Sequence, residues 1–249
     1  GGECFRVRPN NVAFAPWGLI MAFDSSNETA SDIGVHFRLN EETRKDAGKR
    51  VKRIVDVVLA TSALVFIAPL LLVIALLIKI QDGGPALFVQ SRVGRDGKMF
   101  SCFKFRSMTV NADERLRELI ANDPAARMEW EATQKLRHDP RITRLGQFLR
   151  KSSLDELPQL LNIIRGEMSI VGPRPIVEAE IAKYGVYFDY YTSSKPGLTG
   201  LWQVSGRSNT SYAERVQMDV RYAREWTVMG DIRIIAMTIP AILTSRGAH

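Results

Sequence analysis

Twenty-two consecutive residues without a charge, Val57 to Ile78 (VVLATSALVFIAPLLLVIALLI), constrain this chain more than any other feature. A run of that length reaches across the hydrocarbon core of a bilayer only as a helix, because every backbone N–H and C=O must be satisfied within the segment. It lies too deep in the chain for a signal peptide, and no small-residue cleavage pattern follows it. Pro69 interrupts its middle, where it removes a hydrogen bond and bends the axis. Basic residues flank both ends: Lys49, Arg50, Lys52 and Arg53 before, and Lys79, Arg92, Arg95 and Lys98 after. Each flank therefore prefers the cytoplasmic side. Two readings follow, a spanning helix that tolerates its proline and a helix that enters the membrane and returns on one face. A buried helix of a soluble core fits this length less well.

The rest of the chain sorts around that run. Its 249 residues allow one or two domains with a sizeable core. It opens on Gly1-Gly2 rather than Met, as expected of a processed or partial product. Residues 1–47 hold a short apolar patch, a polar stretch and a charged run, and read as an N-terminal extension or linker. The formal net charge of +7 favours anionic partners: nucleic acid, anionic lipid or phosphorylated substrates. No recognition motif supports nucleic acid, and the uncharged run argues against it. The distant pair Cys4 and Cys102 sets up no disulfide framework, and no His/Cys spacing suggests zinc. After a QDGGP turn, Ala86–Gln90 and Lys98–Phe105 read as strands of a hairpin around GRDG. Helices are expected over 112–121, 125–136 and 212–226, and an interfacial helix over 232–243. The fold expected is mixed α/β, predominantly helical, with a small β-hairpin.

One stretch raises a chemical question, SSLDELPQLLNIIRGEMSIVGPRP, residues 152–175. Asp155 and Glu156 precede an apolar helical run. Ser153-x-x-Glu156 matches a capping box, and acids in a first turn suit the helix dipole, so a structural role explains them when they are taken alone. Arg150 and Lys151 just before them make the same place suitable for a divalent metal and a phosphate together. A carboxylate kept ionised there can also serve as a nucleophile on phosphorus. Pro173 and Pro175 restrict the backbone around Arg174, which pre-organises its guanidinium for bidentate contact. Lys104 and Arg106 alternate with aromatics and share one face of a strand. In KPGLTGLWQVSGR, residues 195–207, glycines allow close approach to a ligand and Arg207 sits at a turn. Asp219 is a further carboxylate, on sequence grounds a solvated one. His138-Asp139 is discounted as a base and its orienter.

Taken in order, KRIVDVVLA, FVQSRVG, FKFRSM, LRKSSLDELPQLLNIIRGEMSIVGPRP, PGLTGLWQVSGR and MDVRYAREW closely resemble the bacterial sugar transferases. These are monotopic phosphoglycosyl transferases acting on polyprenol phosphate, and the resemblance runs from about Lys49 to the C-terminus. DGGP and the ending IPAILTSRG point to the exopolysaccharide-initiating subgroup, which moves galactose-1-phosphate or glucose-1-phosphate. The resemblance implies a transferase domain over 48–249, with a re-entrant helix at 51–80, a catalytic region at 86–226 and an interfacial helix at 231–244. It implies Asp155 as nucleophile on a UDP-sugar, giving a sugar-phosphoryl-aspartate that undecaprenyl phosphate then attacks. Glu156 would support Mg2+ with Asp155 or handle a proton. Arg150 would contact phosphate, Arg174 would hold the nucleotide, and Lys104 and Asp219 fall on charged positions of the family's site. The location implied is the cytoplasmic face of the bacterial inner membrane, with membrane lipid as a partner and a homodimer as a further association. The family breaks its helix at Ser-Pro, where this chain has Ala68-Pro69. The alternative from another class is a non-catalytic membrane anchor that recruits glycosyltransferases.

Overall fold

The computed structural model describes residues 30–133, 136, 138–205 and 210–243. Residues 47–249 cluster as one compact unit, and residues 1–46 as another, of which only helical backbone over 30–46 is described. The elements in order are α1 (Ala30–Asp82), β1 (Leu87–Val93), β2 (Met99–Phe105), α2 (Ala112–Asn122), α3 (Pro124–Thr133), α4 (Arg144–Ser152), α5 (Gln159–Arg165), β3 (Ser169–Val171), α6 (Ile181–Tyr184), α7 (Phe188–Thr192), β4 (Gly197–Thr199), α8 (Leu201–Ser205), α9 (Tyr212–Glu225) and α10 (Val228–Leu243). The unit is predominantly helical. β1 and β2 form the antiparallel hairpin, with Phe88 opposite Lys104, and β3 and β4 make a short parallel pair.

Helix α1 continues through Pro69. From Ala47 to Asp82 it is long and apolar enough to cross a membrane. One stripe of it packs onto the rest of the unit along the whole length of the uncharged run. Ala60, with Ala63, Leu64 and Ile67, meets Cys102, Leu160, Ile163 and Met168. Further on, Ile74 and Ile78, with Leu71 and Ala75, meet Phe105 and Leu149. Steps of three and four residues keep these positions on one side of a helix. The opposite side is bare: Val65, Phe66, Leu72 and Ile80 are each more than 70 % exposed. A continuous apolar surface of that extent on a folded chain marks a membrane or partner surface.

Polar ties hold both ends of the run to the same unit. Before it, Arg53 donates to the carbonyls of Ile163 (2.6 Å) and Ile164 (2.9 Å), the open C-terminal carbonyls of α5. Lys52 donates to Val171 O and to Asp231 of α10. The buried Asp56 accepts from Ser169 Oγ (2.8 Å) and Ile170 N (3.0 Å). After the run, Arg106 forms a bidentate pair with Asp82 and donates from Nε to Pro85 O (2.7 Å). In α10, Met229, Ile232 and Ile239 are exposed while Asp231 and Ile234 are buried, so its apolar exposure is one-sided.

Candidate active site

The acidic turn is built by the elements that flank it. Helix α4 starts at Thr143, whose side chain accepts from Gly146 N. It ends at Ser153, which adopts the left-handed conformation (φ 58°) and donates its N–H back to Arg150 O. Ser153 therefore closes the helix behind it. The capping box expected with Glu156 does not form, because a forward N-cap needs an extended backbone that a left-handed residue lacks. Leu154–Glu156 make a single 3-10 turn, and α5 begins after Pro158. On α5 the buried Asn162 accepts from Phe103 N and donates to Ser101 O, pinning the helix to the edge of β2. This brings Lys104, on β2, onto the acidic turn.

The two acids meet opposite surroundings. Lys104 Nζ donates to Glu156 Oε1 at 2.7 Å, and Arg174 Nη2 lies 3.7 Å from the same oxygen. Burial alone would raise the Glu156 pKa, but Arg174, Lys104 and Arg92 together hold it down to about 2. Asp155 accepts no side-chain hydrogen bond among the described residues. Burial, reinforced by the Glu156 charge, pushes its pKa up to about 6 against the pull of Lys104 and Arg150. One carboxylate is firmly ionised and clamped, while its neighbour is half-buried and unclaimed. Arg150 stands close by, with Nε donating to Ser107 Oγ at 2.8 Å.

A pocket beside the turn is lined by Glu156, Lys104, Arg92, Arg174, Pro175 and Gln203, with Cys102 and Gln159 also on its walls. Arg174 is presented by a loop fixed through backbone contact. Gly197 N donates to Pro173 O (2.7 Å), and Gly172 N donates to Thr199 O (2.9 Å). A Cβ on Gly197 would meet Gly172 N at 2.1 Å. Gly197 also lines the pocket, and its missing Cβ lets the arginine loop pack against its backbone.

Of the residues expected at a site, Asp155, Glu156, Lys104, Arg150, Arg174 and Pro175 come together, with Pro173 buried beneath the loop. Arg106 is placed elsewhere. β2 ends at Phe105, and the DGGP turn brings Asp82 onto the Arg106 guanidinium. Asp219 is not solvated. It is 1 % exposed and accepts from Tyr184 Oη (2.7 Å), and burial raises its pKa to about 6. Arg207 lies outside the described residues. His138-Asp139 makes no dyad, since Asp139 pairs bidentately with Arg141. The sequence reading missed Arg92 as a site residue, counting it only as a basic flank. Nothing in its neighbours along β1 signals that its Nη1 donates to Pro175 O (3.0 Å), 83 residues away.

The model of the bacterial sugar transferase family matches residues 47–245. The chain belongs to that family. The Exopolysaccharide production protein ExoY of Sinorhizobium fredii is 51 % identical over 198 residues, which is 80 % of this chain and 88 % of that protein. The UDP-galactose-lipid carrier transferase of Erwinia amylovora is 46 % identical over 233 residues, 94 % of this chain and 48 % of that protein. The UDP-glucose:undecaprenyl-phosphate glucose-1-phosphate transferase of Escherichia coli is 42 % identical over 207 residues, 80 % of this chain and 41 % of that protein. The chain thus spans about half the length of several of the relatives it matches.

Proposed function

We propose that this chain transfers galactose-1-phosphate or glucose-1-phosphate from a UDP-sugar to undecaprenyl phosphate, releasing UMP, as the first membrane step of exopolysaccharide synthesis. The observation that carries the reading is the unequal acid pair, an unclaimed Asp155 beside a clamped Glu156 that lines a cationic pocket. Family membership and the names of the relatives above support the substrate classes. Asp155 Oδ attacks the β-phosphorus of the UDP-sugar. The bond from that phosphorus to the bridging oxygen breaks, and UMP leaves with its electron pair. A sugar-phosphoryl-aspartate remains. An oxygen of undecaprenyl phosphate then attacks the same phosphorus, freeing the Asp155 carboxylate and giving the polyprenyl-diphosphate sugar.

Lys104 and Arg174 hold Glu156 ionised, and Arg150 and Arg174 offer donors to phosphate oxygens. Magnesium binds proteins through one or two carboxylates and leaves its other positions for phosphates, and this turn offers two adjacent carboxylates, with Glu156 Oε1 already held by Lys104. Asp155 and Glu156 would hold it, Asp155 being the carboxylate that lacks a donor. Held there, it would neutralise diphosphate charge and make UMP a better leaving group.

The transferase domain in this reading is residues 48–249. Both ends of the uncharged run are tied to one charged unit that packs along the run's length. That favours a monotopic, re-entrant placement on the cytoplasmic face of the inner membrane over a complete crossing. The bare side of α1 and the exposed side of α10 then face lipid. The test is UMP release by detergent-solubilised protein from a panel of UDP-sugars with polyprenol phosphate and Mg2+. Release from UDP-galactose or UDP-glucose, lost in Asp155→Asn, is expected. No release from any sugar by folded protein returns the acids to a structural role and brings the non-catalytic anchor forward.

A further inference from the structure

The cations of the pocket extend into a cluster in which Arg92, Arg215 and Trp202 have no role in the reaction as written. Trp202, in the first turn of α8, has the Arg215 guanidinium 4.7 Å from its ring centroid and that of Arg174 at 5.9 Å. Arg92 and Arg215 share the Glu180 carboxylate, each at 3.9 Å, beyond hydrogen-bond range. Glu180 is already engaged, since its Oε2 accepts from Val177 N at 3.0 Å. Among the described residues, four buried N–H donors in this cluster find no acceptor: Arg92 Nε, Trp202 Nε1, Arg215 Nε and Arg215 Nη2. Buried donors are ordinarily satisfied, and a guanidinium cannot shed its proton to escape the cost. Glu180, Glu156 and the buried Asp219 supply opposing charge nearby, yet none of them reaches these four donors within hydrogen-bond range.

We propose that Arg92, Arg174, Arg215 and Trp202 form a phosphate subsite that holds the phosphate of the departing nucleoside monophosphate. The assignment rests on the transfer reaction proposed above. A phosphate oxyanion offers acceptors to several guanidinium groups at once, which suits the fork geometry of arginine. Two sources share that chemistry, the nucleotide and the lipid phosphate. The nucleotide is favoured because Arg174 joins the cluster to the acidic turn, 3.7 Å from Glu156 at one side and over Trp202 at the other. Attack at one phosphate and departure at its neighbour need two adjacent sites of this kind. Trp202 spaces two cations that would otherwise repel, and its N–H adds a neutral donor.

The test is titration of the full-length protein in detergent with UMP, uridine and a short-chain polyprenyl phosphate. The wild type should bind UMP more tightly than uridine. Arg215→Gln and Trp202→Phe should each weaken UMP roughly tenfold or more, the effect of losing a hydrogen bond to a charged group. Uridine and polyprenyl phosphate binding should stay unchanged. Trp202→Phe keeps the ring between the two arginines, so it tests the N–H even where Arg215→Gln disturbs folding, and melting curves check both. Undiminished UMP binding in folded Trp202→Phe and Arg215→Gln overturns the subsite. A loss falling on polyprenyl phosphate instead overturns its assignment to the nucleotide. Wild-type protein that binds no UMP sinks the subsite together with the transfer reading. Asp155→Asn that still turns over, with UMP binding still dependent on Arg215, sinks only the nucleophile and leaves the subsite standing.

Discussion

Two charged regions of this molecule are wired differently. At Asp139 and Arg141, and again at Asp82 and Arg106, one carboxylate meets one guanidinium through two parallel hydrogen bonds. The side chains of Asp139 and Arg141 are each less than a tenth exposed, and Trp130 lies 5.1 Å below the guanidinium. Around Glu156 the count does not balance. Lys104, Arg174 and Arg92 converge on one claimed carboxylate, while Asp155 beside it accepts no side-chain hydrogen bond among the described residues. Matched pairs close a structure, because each charge is satisfied where it stands. An unmatched cluster costs folding energy and leaves attraction over for a ligand.

The same substitution in both regions should separate the two roles most sharply. Asp155→Asn is expected to cut UMP release at least about a thousandfold, as loss of a covalent nucleophile does. Its melting temperature should hold or rise at neutral pH, since a buried carboxylate with a raised pKa has been removed. Asp139→Asn should do the reverse. It weakens a buried bidentate pair, so a loss of about 2 kcal/mol is expected, or roughly 4–8 °C by thermal melt, with UMP release per folded molecule little changed. If both variants lose turnover equally while staying folded, the division between the regions fails.

Acid titration gives the next contrast. The Asp155 pKa is raised to about 6, so kcat/KM should fall tenfold per pH unit below about 6 as the nucleophile takes a proton. Linkage runs in opposite directions for the two neighbours. The raised Asp155 favours the folded state below its ordinary value of 3.8, and that contribution is lost as pH rises through about 6. The depressed Glu156 contributes above its ordinary value of 4.5, and that contribution is lost as pH falls toward about 2. Glu156→Gln should therefore flatten the acid side of a stability–pH curve between 4.5 and 2, and Asp155→Asn should flatten the curve between 3.8 and 6. The smallest effect is expected at Ser153, whose left-handed backbone glycine tolerates better. Ser153→Gly should gain about 0.5 kcal/mol, or one to two degrees in melting temperature.

The uncharged run, the hairpin at GRDG and the helices around it were readable because each depends on neighbours in sequence. Periodicity and turn chemistry are local signals. Asp155, Glu156, Lys104 and Arg174 are legible by residue type and by resemblance, while Arg92 reads only as a flank charge, and no local pattern marks Trp202 or Arg215. Ser153 was misread for a definite reason: a capping-box pattern does not show which of two helices the serine serves. Arg106 and Asp219 were drawn toward the site by their charge, and their partners, Asp82 and Tyr184, lie 24 and 35 residues away.

What the sequence alone determined, then, is that a long apolar helix precedes a basic, mostly helical unit carrying an adjacent acid pair. Which acid is clamped and which is left unclaimed was decided only in three dimensions. The Asp155 pKa depends on burial and on charges brought from β2 and α4, and that of Glu156 on Lys104 and on an arginine loop held by glycine contacts. The tertiary fold also turned one side of α1 onto the domain and left the other bare. Hydrophobicity is a property of a residue, but its partner is a property of the packing.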